Sequence, residues 1–415
     1  MSLLFKNIAL LVGTHTAATV RKGPLKGAAL ADLPLIENAW LLTEGNLISA
    51  FGPMAELPPD IPAGQVIDAT GRIMLPAWCD SHTHLVFAAS RESEFIDKIK
   101  GLSYAEIAAK GGGILNSANK LNAMPEEELF LLAKERLQNA ILLGTGAIEI
   151  KSGYGLTVEA ELKMLRVIKQ LKTLAPIPVK ATFLGAHTYP PAYRQNHEAY
   201  LLLMEEEMLP VIAAENLADY IDVFCETGFF SPEETERICR AGMKYGLQPK
   251  IHANQLNLSR GVQTGVALGA LSVDHLETMD EDAIQCLANS STIGTLLPTA
   301  AFFLRMGFQP ARQLIDAGCA ISLASDFNPG SSPSYNMNLV VAMACIQMRM
   351  LPEEAINAAT LNGAFAMGLG DVTGSITTGK LANLILTKPV PSLAYLPYSF
   401  GEQLIEQVYV NGKPV

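Results

Sequence analysis

Four histidines and one aspartate combine the residue types and the placement that a metal-dependent hydrolytic site needs. His82 and His84 stand two positions apart at the end of a short apolar run, so in a strand both imidazoles point to the same face. A pair with this spacing occurs by chance on many protein surfaces. Three further candidates, His252, His275 and Asp326, each follow a short apolar run far downstream, and they strengthen the evidence from the first pair.

Three imidazoles and one carboxylate form a complete ligand set for one metal ion. We predict that His82, His84, His252 and Asp326 hold one Zn²⁺ or one iron ion (Fe²⁺ or Fe³⁺) per subunit, because this set suits both metals and leaves a position for water. A metal held there lowers the pKa of its water. Asp326 could take the proton, and His275 could be a second base or stabilise an oxyanion. A purely structural role in the core remains the alternative for His275.

Lys151, which also ends an apolar run, is open to two interpretations. Its side chain could be carboxylated and bridge two metal ions, or it could pair with a nearby carboxylate. We favour the ion pair, because one metal with four ligands is already complete.

The elements that would position these residues alternate between strands and helices. Eight apolar segments are separated by helical patterns, which predicts an α/β fold of the (β/α)8 TIM barrel type, with strands that are continuously apolar because both faces are buried. The carboxyl ends of barrel strands meet on one face, so the candidates should converge there. The predicted strands are 72–79, 146–151, 179–184, 221–225, 248–252, 271–275, 292–297 and 320–325. Predicted helices cover 124–143 and 157–174, and another begins at Ser231-Pro232.

Both ends of the chain contain short strands separated by Gly and Pro turns. The predicted strands are 3–12, 39–51, 66–69, 381–386, 405–410 and 413–415, the last two forming a hairpin around Asn411-Gly412. We predict that residues 1–70 and 375–415 combine into one small β-sandwich domain, and that residues 71–374 form the barrel. The segment 80–145 is longer than one helix requires, so it either covers the active site or is a surface loop.

Composition excludes several classes of partner. The chain has 415 residues, 49% of them hydrophobic, and a net charge of -11, so we expect no nucleic-acid and no membrane partner. The six cysteines are scattered without a CxxC pair, which is typical of reduced thiols in a cytoplasmic protein. His15 is predicted to be an exposed turn residue and His197 to begin a helix. A homodimer is a fair expectation for a barrel enzyme of this size.

Several strings in the chain resemble a known family. PAWCDSHTH at 76–84 resembles the first-strand motif of the amidohydrolase superfamily, and the strand ends at His252, His275 and Asp326 match its pattern. This resemblance to the superfamily covers nearly the whole chain, and a narrower resemblance is to the imidazolonepropionase family. Its strings are HTHLVF at 82–87, RESEF at 91–95, GGGI at 111–114, KSGYGL at 151–156, GAH at 185–187, KIHANQ at 250–255 and SDFNPGSS at 325–332.

The resemblance implies hydrolysis of 4-imidazolone-5-propanoate to N-formimidoyl-L-glutamate, a step of histidine degradation. It implies the same four metal ligands and one Zn or iron ion. The implied substrate contacts are Arg91, Tyr104, Tyr154, His187, Gln255, Asn328, Gly330 and Ser331. Arg91 offers a two-pronged donor for the substrate carboxylate. Gln255 stands where some family members carry Glu, and a neutral amide cannot act as a base there.

Two alternatives remain open at this stage. Another amidohydrolase could act on a neutral, nucleobase-like ring, although Arg91 favours an anionic substrate. A non-catalytic protein could retain the same fold, but it should have lost metal ligands, and this sequence keeps all four.

Overall fold

An eight-stranded parallel barrel, in which each strand pairs with the next along the chain, occupies the centre of the computed structural model. The structure describes residues 2–61, 63–102, 106 and 112–415. In chain order the strands are β1 (Ser2–Val12), β2 (Leu35–Glu44), β3 (Leu47–Pro53), β4 (Gln65–Asp68), β5 (Arg72–Pro76), β6 (Trp78–Asp80), β7 (Thr145–Lys151), β8 (Val179–Ala186), β9 (Tyr220–Cys225), β10 (Gln248–Ala253), β11 (Ser272–His275), β12 (Ile293–Leu296), β13 (Ala320–Leu323), β14 (Leu384–Pro389), β15 (Ile405–Val410) and β16 (Lys413–Pro414). The barrel consists of β6 to β13, which confirms the predicted fold class.

Helices connect the barrel strands and cover the outside of the barrel. The described α-helices are Glu92–Ile99, Ile114–Ala123, Glu126–Leu142, Val158–Leu174, His197–Leu203, Leu209–Glu215, Pro232–Met243, Gly261–Ala267, Glu281–Ala288, Pro298–Leu304, Ala311–Asp316, Met337–Met348, Pro352–Ala359, Leu361–Phe365 and Tyr395–Tyr398. The predicted start at Ser231 is confirmed by a capping box, in which Ser231 and Glu234 each accept a hydrogen bond from the other's backbone N–H. Within the described residues, no helix combines the length and the apolar character needed to cross a bilayer.

The barrel closes at the carboxyl ends of its first and last strands. A parallel bridge joins Thr83 to Phe327. Beside it, the backbone N–H of Asp326 donates to the carbonyl of His82 at 3.0 Å, and the N–H of His84 donates to that of Phe327 at 2.9 Å. The seam of the barrel therefore runs through the predicted metal ligands.

Strands from both termini form a second, mixed sheet, as the sequence predicts. Its order is β16-β15-β14-β5-β1-β2-β3, and β4 pairs with β1. β1 forks, because its first half pairs with β4 and its second half with β5, on either side of a register shift between Phe5 and Ile8. An apolar core that includes Leu3, Phe5 and Leu384 lies against this sheet. The exact division into residues 1–70 with 375–415 and residues 71–374 stays a prediction.

Three local predictions are wrong. Residues 39–51 form two strands, β2 and β3, joined by a turn in which Gly45 has φ +62. Residues 72–79 also divide, into β5 of the terminal sheet and β6 of the barrel. Pro76 lacks a backbone N–H for continued pairing, and the N–H of Trp78 already donates to Gly144 next to the barrel. His15 is buried instead of exposed, whereas His197 does begin a helix.

Candidate metal centre and active site

Side chains from the barrel seam and from β10 bring the four predicted ligand atoms close together. Nε2 of His84 lies 3.4 Å from Nε2 of His252 and 3.6 Å from Oδ1 of Asp326, which lies 3.5 Å from Nε2 of His82. Tetrahedral ligands about 2.1 Å from an ion stand about 3.4 Å apart, so these separations fit a metal such as zinc. All four side chains are buried. Among the described residues Nε2 of His82 has no hydrogen-bond partner, as expected of a ligand nitrogen.

Two carboxylates behind the rings orient the ligand histidines. Nδ1 of His82 is 2.6 Å from Oδ2 of Asp274, and Nδ1 of His252 is 2.9 Å from Oδ2 of Asp222. The hydrogen bond to Asp274 favours the tautomer of His82 with the proton on Nδ1, which leaves its Nε2 lone pair free for a metal ion. The contact between His252 and Asp222 is close, but Nδ1 of His252 makes no hydrogen bond among the described residues. Asp274 is in turn held by the Ser272 hydroxyl at 2.5 Å.

A buried lysine links these two carboxylates. Nζ of Lys151 lies 2.6 Å from Glu149, 2.9 Å from Asp222 and 3.7 Å from Asp274. Burial opposes the charge of Lys151, but Asp222 and Glu149 outweigh it and raise the pKa of the ammonium. The preferred interpretation, an ion pair, is confirmed, because a carboxylated lysine would be an anion among three anions.

Most of this interior charge network was not predicted from the sequence. Glu149, Asp222, Lys250 and Asp274 lie inside barrel strands that were expected to be continuously apolar, and all four are buried. Lys250 contacts Glu149 and donates to the carbonyl of Ser81 at 3.0 Å. A detectable signal existed, since Glu149 and Lys151 stand two positions apart between apolar residues, which places both on one strand face.

His275 lies beside the ligand rings, and its backbone is strained. Its ring centroid is 5.6 Å from that of His82 and 5.3 Å from that of His252. Burial opposes protonation, but the carboxylate of Glu277, 3.3 Å from Nδ1, outweighs it and raises the pKa of His275. His275 has φ +90 and Asp326 has φ +51, conformations that residues other than glycine rarely adopt and that cluster at functional sites.

Two predicted substrate contacts form an aromatic wall against His84. The His187 ring stacks on that of His84, with centroids 5.4 Å apart and an interplanar angle of 14°. Burial lowers the pKa of His187 to about 4, so its ring is neutral. Its Nδ1 contacts the carbonyl of Gly153 at 3.0 Å, which fixes the proton there and leaves Nε2 as an acceptor. Tyr154 packs edge-on against both rings.

The loop after β13 connects the predicted metal ligand Asp326 to other predicted contacts. Oδ1 of Asn328 accepts hydrogen bonds from the N–H groups of Gly330 and Ser331, both at 2.8 Å. The Ser331 hydroxyl donates to Oδ2 of Asp326 at 3.2 Å. The backbone N–H groups of Gly330 and Ser331, two of the predicted substrate contacts, are thus directed at Asn328.

Arg91 approaches this loop from the segment 80–145. Its Nε donates to Glu94 at 2.9 Å. A Cβ atom added to Gly330 would lie only 2.4 Å from Nη1 of Arg91, so only glycine permits this approach. The pKa of the Tyr154 hydroxyl is raised, by burial first and by the charge of Asp326 second. The charge of Arg91 acts on the same hydroxyl in the opposite direction. The described part of the segment therefore contributes to the site, in keeping with the covering alternative.

The two remaining predicted contacts are Gln255 and Tyr104. Gln255 is largely buried just beyond β10. The loop that carries it is held by Glu226, which accepts from the N–H groups of Leu256 and Asn257 at 2.8 and 3.2 Å, so Glu226 has a structural role. Tyr104 lies outside the described residues.

Comparisons with known proteins show which family the chain is similar to. Residues 73–415 match the model of the amidohydrolase family. An imidazolonepropionase of Flavobacterium johnsoniae is 55% identical over 413 residues and covers 100% of both chains. That of Geobacillus kaustophilus is 40% identical over 404 residues, covering 96% of this chain and 95% of the relative. The fold is also similar to the guanine deaminase of E. coli, with a TM-score of 0.75 at 16% identity, covering 100% of this chain and 99% of that one.

Proposed function

The chain belongs to the imidazolonepropionase family of amidohydrolases, and on that premise we propose that it hydrolyses 4-imidazolone-5-propanoate to N-formimidoyl-L-glutamate, a step of histidine degradation. The observation that carries the proposal is a single loop that joins a buried metal-ligand set to a guanidinium. Residues 326–331 begin at Asp326 among the ligand histidines and reach Gly330 against Arg91. A small ring that carries a carboxylate needs both features.

We propose that His82, His84, His252 and Asp326 hold one Zn²⁺ or iron ion per subunit. The ligand separations and the unpartnered, buried Nε2 of His82 support this assignment. When bound, such an ion polarises a carbonyl and activates water at neutral pH.

The pocket residues would bind and orient the substrate. Arg91 pairs with the propionate carboxylate through its guanidinium N–H groups. Tyr154 and Tyr104 donate hydroxyl hydrogen bonds and pack on the ring. His187, with Nε2 as an acceptor, and Gln255 bind ring N–H and carbonyl groups. Asn328 and the amides of Gly330 and Ser331 accommodate the carboxylates of the product, which requires the amides to exchange Asn328 for a carboxylate oxygen.

Two residues would transfer the proton and stabilise the negative charge that develops on the carbonyl oxygen. Asp326 accepts a proton from the attacking water through a carboxylate oxygen and returns it to the ring nitrogen that leaves. His275, whose ring lies beside those of His82 and His252, donates to the oxyanion that forms on the carbonyl oxygen. In the complete reaction, the water oxygen bonds to the carbonyl carbon, the ring C–N bond breaks, and the leaving ring nitrogen gains the proton.

The test is the ultraviolet decay of freshly prepared 4-imidazolone-5-propanoate with purified protein of known metal content, corrected for spontaneous decay. We expect fast decay that a chelator abolishes, with about one metal ion per chain. Bound metal without decay would refute the substrate. Fast decay that is indifferent to the chelator would refute the metal's role.

We also propose that the chain is a homodimer, as its size favours, and that its two domains divide at residues 70 and 374. Sedimentation equilibrium of the purified chain tests the first statement. Limited proteolysis, with cleavage expected near the two boundaries, tests the second.

A further inference from the structure

Glu94 is a buried carboxylate directed at a predicted substrate contact and not at solvent. It is 6% exposed. Its Oε2 accepts from Nε of Arg91 at 2.9 Å and also contacts Nη2, while its Oε1 accepts from the N–H of Gly113 at 3.0 Å. Burial opposes ionisation, but Arg91 and the Gly113 N–H outweigh it and lower the pKa of Glu94. The group is therefore an anion with three donors, which is what a buried charge requires.

This arrangement fixes the orientation of the Arg91 guanidinium. A guanidinium is planar, so holding Nε and Nη2 on one carboxylate sets the plane of the whole group. The remaining nitrogen, Nη1, then faces Gly330, where a Cβ atom would lie 2.4 Å away. Arg91 thus presents one edge to Glu94 and another to the loop that leads to the metal ligands.

The same helix face holds that loop from a second point. Glu94 and Lys98 are four residues apart on helix Glu92–Ile99 and therefore share one face. Nζ of Lys98 lies 3.3 Å from the carbonyl oxygen of Gly330. Through Gly113, Glu94 also fixes the start of the next described helix, Ile114–Ala123. One helix face therefore sets the spacing between Arg91 and the loop.

We propose that Glu94 is a positioning residue for substrate recognition, which acts through Arg91 by holding its guanidinium where the substrate carboxylate must bind. This inference rests on the proposed function. Glu94 itself does not touch the substrate. Without its charge, Arg91 keeps its own charge but loses its fixed orientation, so binding of the carboxylate weakens while the chemical step is preserved.

A double-mutant cycle with Glu94→Gln and Arg91→Met tests this coupling through KM and kcat. We expect Glu94→Gln to raise KM by roughly tenfold with kcat within about twofold, the size expected for disturbing a charge-assisted hydrogen bond. In the Arg91→Met background, Glu94→Gln should change KM by less than about twofold, because residues that act as one unit are non-additive. The matched control is Glu92→Gln, which changes an exposed carboxylate on the same helix and should leave both constants within about twofold.

Each outcome decides a different statement. An active wild type in which Glu94→Gln raises KM equally in both backgrounds overturns the inference alone, because Glu94 would then act independently of Arg91. A fall in kcat at unchanged KM overturns it too. If Glu94→Gln fails to fold by circular dichroism, Glu94→Asp replaces it, and its shorter carboxylate must give a smaller rise in KM that again vanishes without Arg91. A wild type without turnover refutes the proposed function and this inference with it.

Discussion

Asp274 and Asp222 lie behind the imidazoles of two proposed ligands, His82 and His252. Neither carboxylate contacts the substrate in the proposed complex, but we expect both to affect the affinity for the metal. Replacing Asp274 with Asn keeps the shape but removes the charge that holds the Nδ1 proton of His82. We expect Asp274→Asn to weaken metal binding about 10–100-fold, the usual effect of losing such a partner. Competition with a chromogenic chelator measures it without any assay of turnover. Asp282→Asn, at an exposed site, is the control, and equal metal affinity in the two variants would contradict the role given to Asp274.

Single residues also show what the sequence could and could not predict. His82, His84, His252 and Asp326 were identifiable because each stands at the end of an apolar strand or just beyond it. Asp222 and Asp274 lie inside β9 and β11, and their importance depends on which histidine ring each of them faces. Which ring a side chain faces depends on the register between neighbouring strands, which places His252 beside Phe224 and Asp274. A single sequence carries no record of that pairing.

At the scale of elements, the loop after β13 requires a residue without a side chain at position 330, next to Arg91. Gly330→Ala would place a Cβ atom 2.4 Å from Nη1 of Arg91, and the guanidinium, as the end of a flexible side chain, would move. We therefore expect KM to rise roughly tenfold, as for loss of a charge-assisted hydrogen bond, while the melting temperature stays within about 2 °C. Gly307→Ala is the control, since its added Cβ meets nothing within 4 Å. A large loss of melting temperature with unchanged KM would show that Gly330 matters for folding and not for Arg91.

Element boundaries were predictable where a local signal marks them and not where only tertiary pairing decides. The helix that begins after Ser231 carries its capping box in four residues, so its start was predicted correctly. After Arg72, the run to residue 79 is apolar throughout, because β5 is buried in one sheet and β6 in another. Burial in either sheet selects the same residue types, so composition cannot show that the chain passes from one sheet to the other at Ala77.

At the scale of the whole molecule, the proposed metal ligands lie on both sides of the seam that closes the barrel. His82 and His84 follow β6, Asp326 follows β13, and two backbone hydrogen bonds join them directly, from Asp326 to His82 and from His84 to Phe327. A metal held by these side chains would therefore crosslink the two edges of the seam in addition to its role in catalysis. Since a ligand that binds only the folded state stabilises it, saturating metal at 100 times its dissociation constant should add about 2.7 kcal/mol.

Removal of the metal should consequently loosen one line of the barrel more than the rest. We expect amide hydrogen exchange of the chelated protein to accelerate at His84 and Asp326, whose N–H groups close the seam, while the amides between β8 and β9 on the opposite wall change little, because no proposed ligand lies on those strands. Exchange measured by mass spectrometry on the metal-loaded and chelated forms, with metal added back as the control, separates the two regions. A uniform acceleration around the barrel would mean that the metal stabilises the fold globally and that backbone pairing holds the seam without it.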